Sequence, residues 1–224
     1  MKMNIILEDI LSYDNEWRDS LYMDIFHNGE YEYENVYVEK DDIVVDLGAN
    51  IGMFSLYAIS KGAKFIYAFE PVQENIDIYK KNLNEYTNVK LYEAGISYKN
   101  AISDIFYNFQ NNTILSEVYN DFGWGSEDEK TERVNLISIN DFLDNINKVD
   151  YMKFDIEGSE YDALENITID NLNKIRKIGG EFHWNYQNRL NKSVEKLEEN
   201  GFTVYIINTN DINKMGKFFA KNEK

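Results

Sequence analysis

Acidic side chains close one apolar run after another in this 224-residue chain. Asp46 follows Ile43, Val44 and Val45, and Glu70 follows the run from Lys64 to Phe69. Asp155 and Glu157 follow Tyr151, Met152 and Phe154, while Glu181 and His183 stand at the end of a run that begins at Arg176. A carboxylate or an imidazole so placed can take a proton, hold a divalent cation or accept hydrogen bonds from a diol. The turns narrow the choice. Asp46 opens the pattern D-x-G-x-x-x-G through Gly48, Asn50 and Gly52. Glycines there allow positive φ and the approach of a ligand to bare backbone at a helix N-terminus.

Glu70 sits where an acid at the tip of the second strand can accept hydrogen bonds from a ribose. That placement suits NAD and S-adenosylmethionine alike, and the turn separates them. It lacks the G-x-G-x-x-G that seats a pyrophosphate, and S-adenosylmethionine has no phosphate. Its sulfonium, amine and carboxylate require an acid such as Asp46, backbone N–H groups and the Asn50 amide. Without a ligand the same turn is a plain strand-to-helix connection, and Glu70 favours the cofactor.

These groups need a scaffold, and the hydrophobic periods supply one. From Ile43 to Ala58 the pattern changes from a β-branched run to Ile51, Phe54, Ala58 and Ile59 at helical spacing, which reads as strand, turn and helix. Val72, Ile76, Tyr79 and Leu83 predict a second helix, with Pro71 at its first turn. Val89–Glu93 predicts a third strand, and Gly95 and Ile96 at its carboxyl end are candidates to flank an adenine. Val134–Ile137 resumes a strand, and Ser138 with Asp141 starts a helix through Phe142 and Leu143. Tyr151 to Ile167 repeats strand, turn and helix, with Ser159 and Asp162 as caps and Lys153 directed at an acid. Leu190, Val194 and Leu197 mark a helix stopped by Gly201. Phe202–Ile207 and Lys217–Ala220 close the sheet as a hairpin. In the strand before that helix, alternate residues share a face, so Glu181 and His183 point together.

Two regions fall outside this rhythm. Trp17, Leu21, Tyr22 and Ile25 predict a short helix over Tyr13–Phe26, followed by a turn at Asn28-Gly29 and a tyrosine-rich hairpin or edge strand able to lid the pocket. Residues 1–40 thus read as an N-terminal helix and hairpin extension, and 41–224 as the catalytic domain with a variable insertion around 100–132. That insertion carries Phe109, an acidic stretch and Trp124 between two glycines, and a loop so long is often functional.

Composition excludes several chemistries. The chain has no cysteine, so disulfides, thiolate metal sites and cysteine nucleophiles are absent. A net charge of −17 and a pI near 4.5 disfavour a phosphate-backbone partner. The densest basic group, Lys174, Arg176 and Lys177, reads as a solvated helix end. No run approaches the roughly 20 apolar residues of a membrane span, and the expected location is the cytoplasm. Nothing in the pattern speaks to oligomeric state.

In order along the chain, VVDLGANIGMFSLYA, YAFEP, AGIS, VNLISINDFL, YMKFDIEGSEYDALENI and GGEFHW resemble the FkbM-type family of S-adenosylmethionine-dependent methyltransferases, from about Glu30 to Phe202. The resemblance implies the class I methyltransferase fold: an α/β architecture with a seven-stranded, mostly parallel, Rossmann-like sheet, helices on both faces and an antiparallel last hairpin. It assigns Asp46, Gly48, Asn50 and Gly52 to the cofactor loop, Glu70 to the ribose and Ile96 to the adenine wall. Asp155, Glu157 and Gly158 match its D-x-E-G motif. Many members methylate hydroxyls of sugars or secondary metabolites.

The expected reaction is therefore transfer of a methyl group from S-adenosylmethionine to a hydroxyl of a carbohydrate or related metabolite, a small-molecule or glycan acceptor in polysaccharide or glycoconjugate biosynthesis. His183, oriented by Glu181, is the leading base, and Asp155 is the other. The same Asp155, Glu181 and His183 around Mg²⁺ or Mn²⁺ would instead acidify the hydroxyl. Two rivals are a module that binds the cofactor without chemistry and an NAD-dependent oxidoreductase.

Overall fold

A computed structural model describes residues 5–107, 113–115, 130–183, 189–211 and 215–223. The segment around Trp124, with Phe109, and Trp184 beyond the His183 strand lie outside the described residues. After a 3₁₀ turn at Leu7–Asp9, α1 (Asn15–Tyr22) is capped by the Asp14 carboxylate, which accepts from the Trp17 N–H at 2.8 Å, and runs into a π-helical turn, Met23–His27. The expected hairpin after Gly29 reduces to one antiparallel bridge between Tyr33 and Val36. Tyr31, Val36 and Val38 turn inward, so this segment is a strap held by burial instead of by strand pairing.

The strap leads to β1 (Ile43–Leu47), α2 (Met53–Lys61), β2 (Phe65–Phe69), α3 (Gln73–Asn82) and β3 (Val89–Tyr92). Pro71 lies just ahead of α3, whose N-cap is Val72, and not in its first turn. Then come β4 (Gly95–Ser97), β5 (Ala101–Tyr107), β6 (Thr113–Leu115), β7 (Lys130–Ser138) and α4 (Ile139–Asp144). The chain finishes with β8 (Tyr151–Phe154), α5 (Glu160–Asn166), α6 (Ile169–Leu172), β9 (Lys177–His183), α7 (Arg189–Glu199), β10 (Phe202–Asp211) and β11 (Met215–Asn222).

Seven strands form one sheet in the order β10-β11-β9-β8-β1-β2-β3, parallel except that β11 runs against both β9 and β10. Strand alternation sends Val45 and Leu47 into one apolar cluster with Phe142, Leu164 and Leu197, and Val44 into the other with Phe54, Tyr57 and Tyr79. Helices therefore cover both faces, and β1, buried on each, lies inside the sheet between β8 and β2. The sheet and its antiparallel last hairpin match expectation.

A second, four-stranded sheet, β4-β7-β5-β6, was not foreseen. It makes a strand of the Gly95–Ser97 turn and extends the Val134–Ile137 run back to Lys130. Its small core of Val72, Ile105, Val134 and Leu136 seats it over the start of α3.

The basic group also differs from expectation. Lys177 is fully buried, with Nζ 2.8 Å from Glu39 and 3.1 Å from Asp42, and Arg176 reaches the same two acids at 2.7 and 2.6 Å. Both cations pin the end of the strap beneath β9; Lys177 is shut away from solvent, while the Arg176 side chain stays 40% exposed. Among the described residues no helix is long and apolar enough to cross a membrane.

Candidate functional site

The parallel strands end together, and their carboxyl tips with the following turns form a cleft at the point where the strand order reverses between β1 and β8. Gly48, at φ +79°, begins the β1 turn. A Cβ there would lie 1.8 Å from the Asp155 carbonyl oxygen, so glycine is what lets the β1 and β8 tips touch. Asn50 also has positive φ, and its side chain accepts from the next N–H, Ile51, at 2.6 Å. Its own N–H donates to Glu70 Oε2 at 2.8 Å. Glu70 Oε1 accepts from Val72 N–H and from the Asn75 amide, both at 3.0 Å. A carboxylate has about four acceptor positions, so one remains for a ribose hydroxyl. Burial pushes the Glu70 carboxyl above its ordinary range, against those three bonds.

Glu70 shares the cleft with Gly48, Asn50, Phe69, Ile96, Leu136 and the tip residues Asp155 and Glu157, and the cleft is open to solvent. That lining suits a nucleoside. One wall is apolar and the floor carries an acid. Ser159, on the same lining, has a buried hydroxyl with no partner. An orphaned buried hydroxyl is costly unless a ligand completes it, so these residues fit an adenosine group.

Asp46 and Gly52 lie off this lining. Asp46 is fully buried behind the turn, accepting from Ser55 Oγ at 2.8 Å and lying 3.3 Å from Lys153 Nζ. Gly52, at φ +93°, caps α2 and packs on α3, where a Cβ would meet Leu83 at 2.4 Å. Both shape the turn.

Lys153 is the hinge of the β8 tip. Its Nζ donates to Gly48 O at 2.8 Å and lies 3.6 Å from Asp155 Oδ2. Burial alone would lower its pKa, but Asp46 and Asp155 outweigh burial and raise it. The Tyr31 hydroxyl, arriving from the strap, donates to the same Asp155 Oδ2 at 2.8 Å. Beyond Asp155, Glu157 is held at φ +50°, a conformation costing about 1–2 kcal/mol for such a residue. Backbone outliers of this kind concentrate at working sites.

His183 Nδ1 lies 2.9 Å from Glu160 Oε1, and Nε2 lies 3.4 Å from Glu157 and 3.6 Å from Glu181. Glu181 does face His183, but the carboxylate that orients the ring is Glu160. Glu160 also accepts from the Ile156 and Gly158 N–H groups at 3.1 and 2.9 Å. It thereby holds the turn that leads into α5, and the capping expected of Ser159 and Asp162 is not made: Ser159 makes no cap bond and Asp162 pairs with Arg189 at 2.5 Å. Burial opposes the imidazolium charge, yet Glu160 and Glu157 outweigh it and raise His183 to about 10. Burial raises Glu157 to about 8, against the pull of His183, and raises Glu181 to about 9, with Asp155 adding to the effect.

Sequence reasoning missed Glu160, which carried a local signal, an acid in the first turn of a helix after a glycine. The tyrosine-rich segment was expected to be able to lid the pocket, but the bond from Tyr31 to Asp155 carried no signal, because the two are 124 residues apart. One ligand atom from each of Asp155, Glu181 and His183 lies within 4.8 Å of the other two. Around a divalent ion with bonds of about 2.1 Å the three would draw closer still.

Other proteins resemble this chain in sequence and in fold. Methyltransferase sdnD of Sordaria araneosa is 26% identical over 82% of this chain and 82% of its own. The 31-O-demethyl-FK506 methyltransferase FkbM of Streptomyces tacrolimicus is 26% identical over 82% of this chain and 81% of its own. Aeropyrum pernix fibrillarin, solved with natively bound S-adenosyl-L-methionine, superposes with a TM-score of 0.53 at 10% identity, covering 91% of this chain and 76% of that one, which speaks to fold alone. The profile described as "Methyltransferase FkbM domain" matches residues 46–204, which include the β1 turn, Glu70, the β8 tip and His183. With that match over most of its length, the chain belongs to the FkbM family of S-adenosylmethionine-dependent methyltransferases.

Proposed function

We propose that this protein methylates a hydroxyl oxygen of a small-molecule or glycan acceptor, with Asp155 as the proton acceptor. The observation that carries the reading is the position of Asp155. It lines both halves of the cleft, whereas His183 and Glu181 lie off the linings, with the ring nitrogens of His183 turned to carboxylates. The order of the two candidate bases is thus reversed from that expected. The cofactor supplies an electrophilic methyl on a sulfonium. Asp155 Oδ2 is occupied by Tyr31 and Lys153, which leaves Oδ1 to take the hydroxyl proton; S-adenosylmethionine held in the cleft would give its methyl group to the hydroxyl oxygen and would leave as the neutral thioether. Holding two reactants in line can supply about 7–11 kcal/mol of the barrier, and the base about 10²–10⁴-fold.

Transfer to oxygen is supported by the name of one relative, a 31-O-demethyl-FK506 methyltransferase. A net charge of −17 supports an acceptor other than nucleic acid. The test is labelled S-adenosylmethionine with a panel of sugars and hydroxylated metabolites. Label should enter an alkali-stable ether, and Asp155→Asn should cut turnover at saturating S-adenosylmethionine about 100-fold or more. Label on nitrogen would overturn the oxygen assignment.

The spacing of Asp155, Glu181 and His183 favours a second reading, in which Mg²⁺ or Mn²⁺ on these three acidifies the hydroxyl. Full turnover after exhaustive chelation would exclude it.

A further inference from the structure

A second cleft adjoins the first across the β1 turn and shares Gly48, Asn50, Asp155 and Glu157 with it. Its outer wall comes from the N-terminal segment: Trp17 and Leu21 of α1, Ile25 of the π-helical turn and Tyr31 of the strap. All four precede residue 46, where the family match begins. The segment is anchored from three consecutive side chains. Glu30 pairs with Lys217 at 2.6 Å, Tyr31 bonds Asp155, and Glu32 pairs with Lys61 at 2.8 Å. The Tyr31 carbonyl also accepts from the buried Tyr151 hydroxyl at 2.7 Å.

The chemistry of this cleft differs from that of its neighbour. The first has an apolar wall and Glu70, which suit adenine and ribose. The second joins aromatic and aliphatic surface to the Lys153 ammonium and the Asp155 carboxylate, charges of both signs, and to Glu157. A ligand seated by Glu70 and crossing the Gly48–Asn50 turn therefore presents its far end here. For S-adenosylmethionine that end is a short methylene chain bearing an ammonium and a carboxylate. We propose that the N-terminal segment, through Trp17 and Tyr31, forms the outer wall of the amino-acid end of the cofactor site, so that residues outside the family-matched region set the affinity for that end.

The proposal rests on the cofactor's occupying the Glu70 cleft, and the experiment separates the two. Calorimetry would compare S-adenosylhomocysteine with 5′-methylthioadenosine, which keeps the nucleoside and sulfur but lacks the amino-acid end. Trp17→Ala, a half-buried helical position where alanine keeps the helix, should weaken S-adenosylhomocysteine about 5- to 20-fold and leave 5′-methylthioadenosine within twofold. Unchanged binding of both ligands, or equal losses for both, would overturn the proposal. Wild-type protein that binds neither would overturn the cofactor assignment and this inference with it. A Trp124→Phe, Trp184→Phe variant leaves Trp17 as the sole indole and requires no change in the wall. Its fluorescence should shift with S-adenosylhomocysteine and not with 5′-methylthioadenosine; identical responses to the two ligands would contradict the placement.

Discussion

Glu70 and Gly48 bear on the site in opposite ways, one through a charge and the other through an absent side chain. Glu70→Ala should weaken S-adenosylhomocysteine by about 1.5–3 kcal/mol, the worth of a hydrogen bond to a charged group, and an unchanged calorimetric affinity would remove it from the ribose. Gly48→Ala should act through the backbone. Its Cβ would overlap the Asp155 carbonyl, so the β1 and β8 tips must part. The expected result is a lower melting temperature together with lost cofactor binding, and wild-type affinity would show that the tips can separate without harm. Both residues were legible in the sequence because their signals are local, a glycine and an acid at fixed offsets from an apolar run. The partner of His183 was not. Alternation along one strand put Glu181 beside His183, but Glu160 comes from another element, and no pattern in β9 could reveal its 2.9 Å contact.

Among the elements, the parallel sheet was legible for the same reason: strands buried on both faces read as unbroken apolar runs with turns at their ends. The second sheet was hidden because Gly95–Ser97 is only three residues long; the alternation at Ile105 and Tyr107 marks β5 as a strand, but nothing local tells which sheet it joins. Lys177 was misread because charge suggests solvent, whereas it is buried by a strap that precedes it by 138 residues. This arrangement is testable. Asp42, nearly inaccessible beside Lys177, should lose about 3 kcal/mol on change to alanine, the low end for breaking a buried pair, since Glu39 still faces the lysine. Glu39, 44% exposed, should lose under about 1 kcal/mol. Urea denaturation measures both, and equal losses would show that burial does not govern the pair.

For the whole molecule, the pH dependence of stability follows from where the charges are confined. Lys177, then Arg176, holds Glu39 down to about 2 from its ordinary 4.5. Its contribution is present above pH 4.5 and lost as pH falls toward 2. The cluster at the cleft has the other sign. His183, raised to about 10 from 6.5, stabilises fully below pH 6.5 and loses that contribution as pH rises through 10. Glu157 and Glu181, raised to about 8 and about 9, likewise favour the folded state in their protonated forms and oppose it once ionised. With a net charge of −17, general repulsion also grows toward alkaline pH. Salt distinguishes the two alkaline contributions. At 0.1 M ionic strength charges more than about 10 Å apart are largely screened, whereas contacts inside the buried cluster are not. The melting temperature, measured with EDTA present, should therefore fall from pH 6.5 to 9.5 in low salt, and 0.5 M NaCl should restore only part of the loss. Complete restoration would assign the alkaline loss to surface charge. His183→Asn should remove the His183 share of the portion that salt leaves behind while Glu157 and Glu181 go on titrating, and an unaltered slope in that variant would exclude His183 from the titrating groups.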